Sequence, residues 1–298
     1  VPEGSALPRR KEALLRSLAR KSVRDSRARF VAEGPRVVEE ALASRWKVTD
    51  LVAAPSAAQD VRRWEAEGRL AGVPVHRVDE RAFRRVAESV HPQGVLAVVE
   101  RPDVGLPRTP AAAAVLVLDR VQDPGNAGTL LRTLLATGGR TAVALAGTVD
   151  LFNPKVVRSS AGSLFHLDVA VHVAADAALA WLEEHAIPLV ALDPSGEPLF
   201  AGDWCAPAAS ALAVGNEGAG LDPRLLGRAA RRLAIPMEGG VESLNAAVAG
   251  SLALYELRRR RELGGAPADG APASGAQGGR RDPPGAPRRR PNREGAVG

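Results

Sequence analysis

The sequence predicts an α/β protein: a mostly parallel sheet covered by helices on both faces, preceded by a smaller α/β domain. Three observations predict it. Short apolar runs alternate with stretches of helical spacing through residues 111–263. Those runs, such as Ala114 to Leu118, are continuous rather than alternating, as strands buried on both faces require. A proline-rich segment, Arg101 to Pro110, sets this block apart from residues 1–104.

In the first block, Glu12 to Arg29 reads as one basic helix with Leu14, Leu15 and Leu18 on one face. Phe30 to Gly34 reads as a short strand and turn, and Pro35 to Ala43 as a helix carrying Val37, Val38, Ala41 and Leu42. A strand at Val48 to Ala53 and a helix at Ala57 to Gly68 follow, then strands at Val73 to Val75 and Val95 to Val99. In the second block, the helix after Asn126 places Ala127, Leu130, Leu131, Leu134 and Leu135 on one face. Strands are expected at Thr141 to Ala146, Val169 to Val173, Leu189 to Leu192 and Ala211 to Val214, and Ala234–Ile235 ends a last strand. Asp222-Pro223 is an N-cap with proline in the first helical position, and Leu244 to Arg261 is the closing helix. Three parts result: 1–104, 105–263, and a Gly/Pro/Ala/Arg tail, 264–298, too poor in apolar surface to order itself.

Composition narrows the function. No run of apolar residues is long enough to span a membrane. Val1-Pro2-Glu3-Gly4 and the basic stretch after it lack the apolar core of a secretory signal, so a soluble cytoplasmic protein is expected. A single cysteine, Cys205, forms no internal disulfide and reads as a packing residue; with scattered histidines it offers no metal cluster. The net charge is +6, but it sits at the ends. Residues 1–104 hold 20 basic against 15 acidic side chains, whereas 105–263 hold 14 against 16. Basic ends on a near-neutral body point to a polyanion such as a nucleic acid, or only to an arginine-rich composition.

Ligands in open α/β sheets bind beyond the carboxyl ends of strands. Three such loops are rich in glycine and polar groups. The first is Asp119 to Gly128, leading into a helix that carries Arg132. Asn126 and Arg132 are six residues apart, about 240° net around an ideal helix, so they share a site only if Asn126 lies in the loop or cap. The second is Val214-Gly215-Asn216-Glu217-Gly218-Ala219-Gly220-Leu221, where glycine permits close backbone approach and Glu217 sits in a tight turn. The third runs from Ile235 to Asn245, with Ser243 and Asn245 each an acceptable helix cap. No dinucleotide fingerprint, P-loop or nucleophile elbow is present. The serines of Arg158 to Ser163 have no histidine placed as their base, and nearby His166 reads as structural.

Together, in this order, the loops resemble the three signature motifs of the SpoU/TrmH RNA methyltransferases of the SPOUT group. Asp123 to Thr133 is similar to the first, Val214 to Leu221 to the second, and Ile235 through Ser243 to Ala249 to the third. Asp150 to Gly162 also resembles family sequence. Residues 1–104 resemble, more weakly, the substrate-binding domain that precedes this catalytic domain in several members, a small ribosomal-protein-like RNA-binding fold.

The resemblance implies a trefoil-knotted sheet, a homodimer, and S-adenosylmethionine as methyl donor, held by backbone groups at Gly215, Ile235 and Leu244. It implies transfer to a ribose 2′-hydroxyl of RNA, with 23S ribosomal RNA favoured over transfer RNA by the extra N-terminal domain. The functional polar groups it implies are Asn126, Arg132, Glu217, Ser243 and Asn245. Because a guanidinium resists deprotonation, Arg132 reads first as phosphate clamp and electrostatic stabiliser, and second as base. Competing readings are an RNA-binding protein without catalysis and a nucleotide-dependent oxidoreductase, the latter lacking its glycine fingerprint. Glu238 and Glu242 make the third loop more acidic than an RNA-facing loop should be.

Overall fold

Phe30 and Trp46 of the first block stack against Phe152 and Phe165 of the second, with ring centroids 5.2 to 6.1 Å apart, so the two sheets share one aromatic seam. The computed structural model describes residues 7–110, 114–202, 204–239 and 243–263. The expected tail, 264–298, and Glu242 lie outside the described residues.

The basic helix expected from Glu12 to Arg29 is instead two, α1 (Arg9–Ser17) and α2 (Lys21–Arg27). The break has a cause. Arg24 is buried and donates from Nη1 to the carbonyls of Leu18 and Ala19, at 2.8 and 2.7 Å. It thereby satisfies the carbonyls that a helix end exposes. After α2 come β1 (Arg29–Glu33), α3 (Pro35–Ala43), β2 (Val48–Ala53), α4 (Ala58–Ala66), β3 (Val75–Arg77), α5 (Glu80–Arg84) and β4 (Val95–Glu100). The strands order as β1-β4-β2-β3, with β4 antiparallel to both neighbours and β2 parallel to β3. β3 starts after Pro74, not at Val73. The short α5, capped by Asp79, carries too few residues for a periodic signal.

The second block runs β5 (Ala114–Leu118), α6 (Pro124–Ala136), β6 (Thr141–Leu145), α7 (Pro154–Ser159), β7 (Asp168–Val173), α8 (Ala175–Glu184), β8 (Leu189–Pro198), β9 (Ser210–Val214), α9 (Pro223–Arg228), β10 (Arg231–Ala234) and α10 (Ala246–Leu263). Its sheet orders as β10-β8-β9-β5-β6-β7, and every pairing is parallel. The continuous apolar runs are divided between two faces. Leu116 and Leu118 pack with residues of α6, α7 and α10, while Val115 and Val117 pack with α8 and α9. β6 and β7 lie to one side of β5, and β8, β9 and β10 to the other. The switch point therefore falls between β5 and β9, where the first and second loops leave the sheet.

The seam between the blocks is reinforced by charge. Arg24 holds Asp150 through Nε and Nη2 at 2.9 and 2.6 Å, with Arg24 buried and Asp150 half-buried. His166, read as structural, pairs with Glu40 across the same seam at 2.7 Å. Cys205 corrects an expectation: it is exposed, because the long connection from β8 to β9 leaves it on the surface. Among the described residues, no helix is long and apolar enough to cross a membrane, and no His, Cys, Asp and Glu cluster could hold a metal.

Candidate active site

All three loops open at the carboxyl end of the parallel sheet, and they meet there. Asp123 caps α6 by accepting from the Asn126 amide at 2.8 Å, with Pro124 in the first turn. Asn126 is thus inside the helix, and it is buried. Its Nδ2 donates to Glu217 Oε1 of the second loop at 2.5 Å. Its Oδ1 accepts from Asn245 Nδ2 of the third loop at 2.9 Å. Asn245 in turn caps α10, accepting from the amides of Ala247 and Val248 at 3.0 and 3.2 Å. One buried amide thereby links the three loops. Glu217 Oε2 has no partner among the described residues.

Beside this network lies an open cleft of about 160 Å³. Gly215, Glu217, Ile235, Ser243 and Leu244 line it, together with apolar Leu192, Val214 and Leu233. Among the described residues, the backbones of Gly215, Ile235 and Leu244 make no backbone hydrogen bond: the ladders stop at Val214 and Ala234. Such half-buried peptide groups have donors and acceptors available to a ligand. An apolar cleft rimmed by such groups fits a ligand with an adenine ring and polar edges.

The second loop owes its shape to two residues that the sequence reading passed over, Asp119 and Arg120. Asp119 is 2% exposed and takes Arg120 Nε and Nη2 at 2.9 and 3.0 Å, and the Asp222 amide at 2.6 Å. This pairing raises the Arg120 pKa. Arg120 Nη2 also donates to the Gly220 carbonyl at 3.3 Å, and its own carbonyl accepts from Asn216 Nδ2 at 3.1 Å. Arg120 has φ 55, a left-handed conformation held by its amide bond to Thr148 Oγ1 at 3.0 Å. Gly215 must be glycine because a Cβ would sit 2.6 Å from the Gly220 backbone. The available signal was position: Asp119 and Arg120 follow directly on the apolar run of β5. Asp222 caps α9 as expected, and its bonds to Arg224 lower its pKa to about 2.

Arg132 stands apart. Asn126 lies in the third helical position of α6, so the angular separation between the two holds. Arg132 is exposed and makes no hydrogen bond or ion pair among the described residues.

The SpoU rRNA Methylase family matches residues 113–255, and the MRM3-like substrate binding domain matches residues 13–97. The 23S rRNA (guanosine(2553)-2′-O)-methyltransferase RlmP of Bacillus subtilis is 37% identical over 231 residues, 77% of this chain and 88% of that protein. The SpoU methyltransferase AviRb of Streptomyces viridochromogenes, solved with AdoMet, superposes with TM-score 0.77 at 28% identity, over 86% of this chain and 99% of that one. An AdoMet-bound rRNA methyltransferase from Sinorhizobium meliloti gives TM-score 0.75 at 30% identity, over 87% and 97%.

Proposed function

Because this chain belongs to the SpoU rRNA methylase family, we propose that it methylates a ribose 2′-hydroxyl of 23S ribosomal RNA, using S-adenosylmethionine. The observation that carries the reading is Asn126 bridging Glu217 and Asn245, one residue from each loop, at the edge of the apolar cleft. When bound, S-adenosylmethionine supplies an electrophilic methyl group on a sulfonium and leaves as the thioether.

The chain's own residues would do the rest. The free backbone groups of Gly215, Ile235 and Leu244 would hold the donor's polar edges while Leu192, Val214 and Leu233 exclude water. Glu217, fixed by Asn126 through one oxygen, keeps the other to accept from the ribose hydroxyl. Ser243 and Asn245 would position the sugar, since holding reactants in line supplies much of a rate enhancement. Arg132, always charged, would clamp the substrate phosphate and stabilise the developing oxyanion while the free oxygen of Glu217 takes the hydroxyl proton. Residues 1–104 are read as the RNA-binding domain and 105–263 as the methyltransferase domain, in keeping with their separate sheets.

A homodimer belongs to the same reading. Val248, Leu252 and Tyr255 form an exposed apolar stripe on α10 at helical spacing, beside Thr129 of α6. Arg132 shares the exposed side of α6 with Thr129, so a partner on the stripe would meet it. The trefoil knot and a cytoplasmic location complete the reading. α10 packs back onto α6 and β9, an arrangement compatible with such a knot.

The test is transfer of tritium from labelled S-adenosylmethionine to separate pools of unmodified ribosomal and transfer RNA. Label in ribosomal RNA that protects one linkage from alkaline cleavage is expected. Label in transfer RNA alone would reassign the substrate, and no donor binding would overturn the reading.

A further inference from the structure

Half of the 14 cations of residues 105–263 are neutralised by carboxylates of the same block. Arg120, Arg224, Arg228, Arg231, Arg258, Arg259 and Arg260 each pair with a carboxylate. Among the described residues from 114 to 263, three exposed cations on helices α6 and α7 have no partner: Arg132, Lys155 and Arg158. Exposed Arg140 is also unpaired, but it precedes β6, at the opposite end of the sheet from the loops.

Lys155 and Arg158 are three residues apart on α7, hence on one face. Ser159 on that side of the helix donates to the Pro124 carbonyl at 3.0 Å, and a Cβ on Gly128 would lie 1.9 Å from its oxygen. The helix therefore abuts the start of α6, two residues from Asn126, with Lys155 and Arg158 on its exposed side. Two exposed cations without a carboxylate partner, on the helix beside the network of a near-neutral domain, make a local positive patch suited to a polyanion.

We propose that Lys155 and Arg158 form a phosphate-binding subsite on the catalytic domain, gripping the RNA backbone next to the target ribose. The inference rests on the RNA methyltransferase reading above. It adds a grip independent of the N-terminal domain, which would hold the strand close to Asn126 and Glu217.

The test compares the full wild-type chain with Lys155→Ala/Arg158→Ala and with Lys155→Arg, using an unmodified 23S ribosomal RNA transcript. Binding is measured from about 50 to about 200 mM salt. Losing two phosphate contacts should flatten the slope of log Kd against log salt by roughly 1.5, and weaken binding about tenfold at low salt. Lys155→Arg should keep the wild-type slope, and S-adenosylmethionine affinity should be unchanged in all three. A double variant with wild-type slope and affinity overturns the subsite while leaving the methyltransferase reading intact. A wild-type chain that neither binds nor methylates the transcript overturns both.

Discussion

Asn126 donates to Glu217 at 2.5 Å from a side chain that is itself buried, so the carboxylate of the second loop is fixed by the helix of the first. Asn126→Ala should remove that constraint and free Asn245 as well. Losing one positioned polar group of this kind lowers turnover about 100- to 1000-fold. Asn126→Asp should be as damaging, because it sets a second carboxylate against Glu217. Single-turnover methylation alongside calorimetric donor binding separates the effects: turnover should fall, with donor affinity changed only a few-fold.

Arg132 is exposed and makes no hydrogen bond or ion pair among the described residues, so Arg132→Ala should leave stability within about 0.5 kcal/mol of wild type. Donor binding should persist and turnover should be lost. Methylation at the wild-type rate by this variant would remove Arg132 from the reaction.

Arg120 acts through the second loop. Arg120→Gly keeps the left-handed backbone but strips the buried Asp119 of its ion partner and Gly220 of its donor. An unsatisfied buried group costs about 1–3 kcal/mol. The expected signature is weakened S-adenosylmethionine binding with RNA affinity unaltered. Arg120→Ala should be worse, since an alanine at that φ is strained by about 1 kcal/mol.

The Arg24–Asp150 pair ties the N-terminal helices to the loop before α7. Arg24→Ala leaves half-buried Asp150 without its ion partner and two helix-end carbonyls unsatisfied. Breaking a buried pair from one side costs about 3–5 kcal/mol, which urea unfolding should register. Arg45→Ala, at the exposed ion pair with Asp168 on the same seam, should change stability by less than about 1 kcal/mol.

The apolar stripe on α10 predicts self-association. Leu252→Glu should place a charge in that surface and shift sedimentation from dimer to monomer, without loss of helix content. Monomeric wild-type chain at micromolar concentration would count against the homodimer.

The sequence by itself determined what depends on local order. Continuous apolar runs located β5, β6 and β9, because a strand buried on both faces has no polar side to display. Asp222-Pro223 announced α9, because its capping chemistry lies within a few residues. The position of the three loops after strands marked Asn126, Glu217 and Asn245 as candidates. Tertiary structure decided the relations that no local pattern encodes. The basic N-terminal helix was cut in two by Arg24, whose partners include Asp150, 126 positions away. Asp119 and Arg120 became the brace of a loop about 100 residues further on. Asn126 was drawn into its helix, joined to Glu217 and Asn245 and separated from Arg132. In each case a buried polar group had to find a partner of matching charge or donor type, and only the folded chain brings such partners within bonding distance.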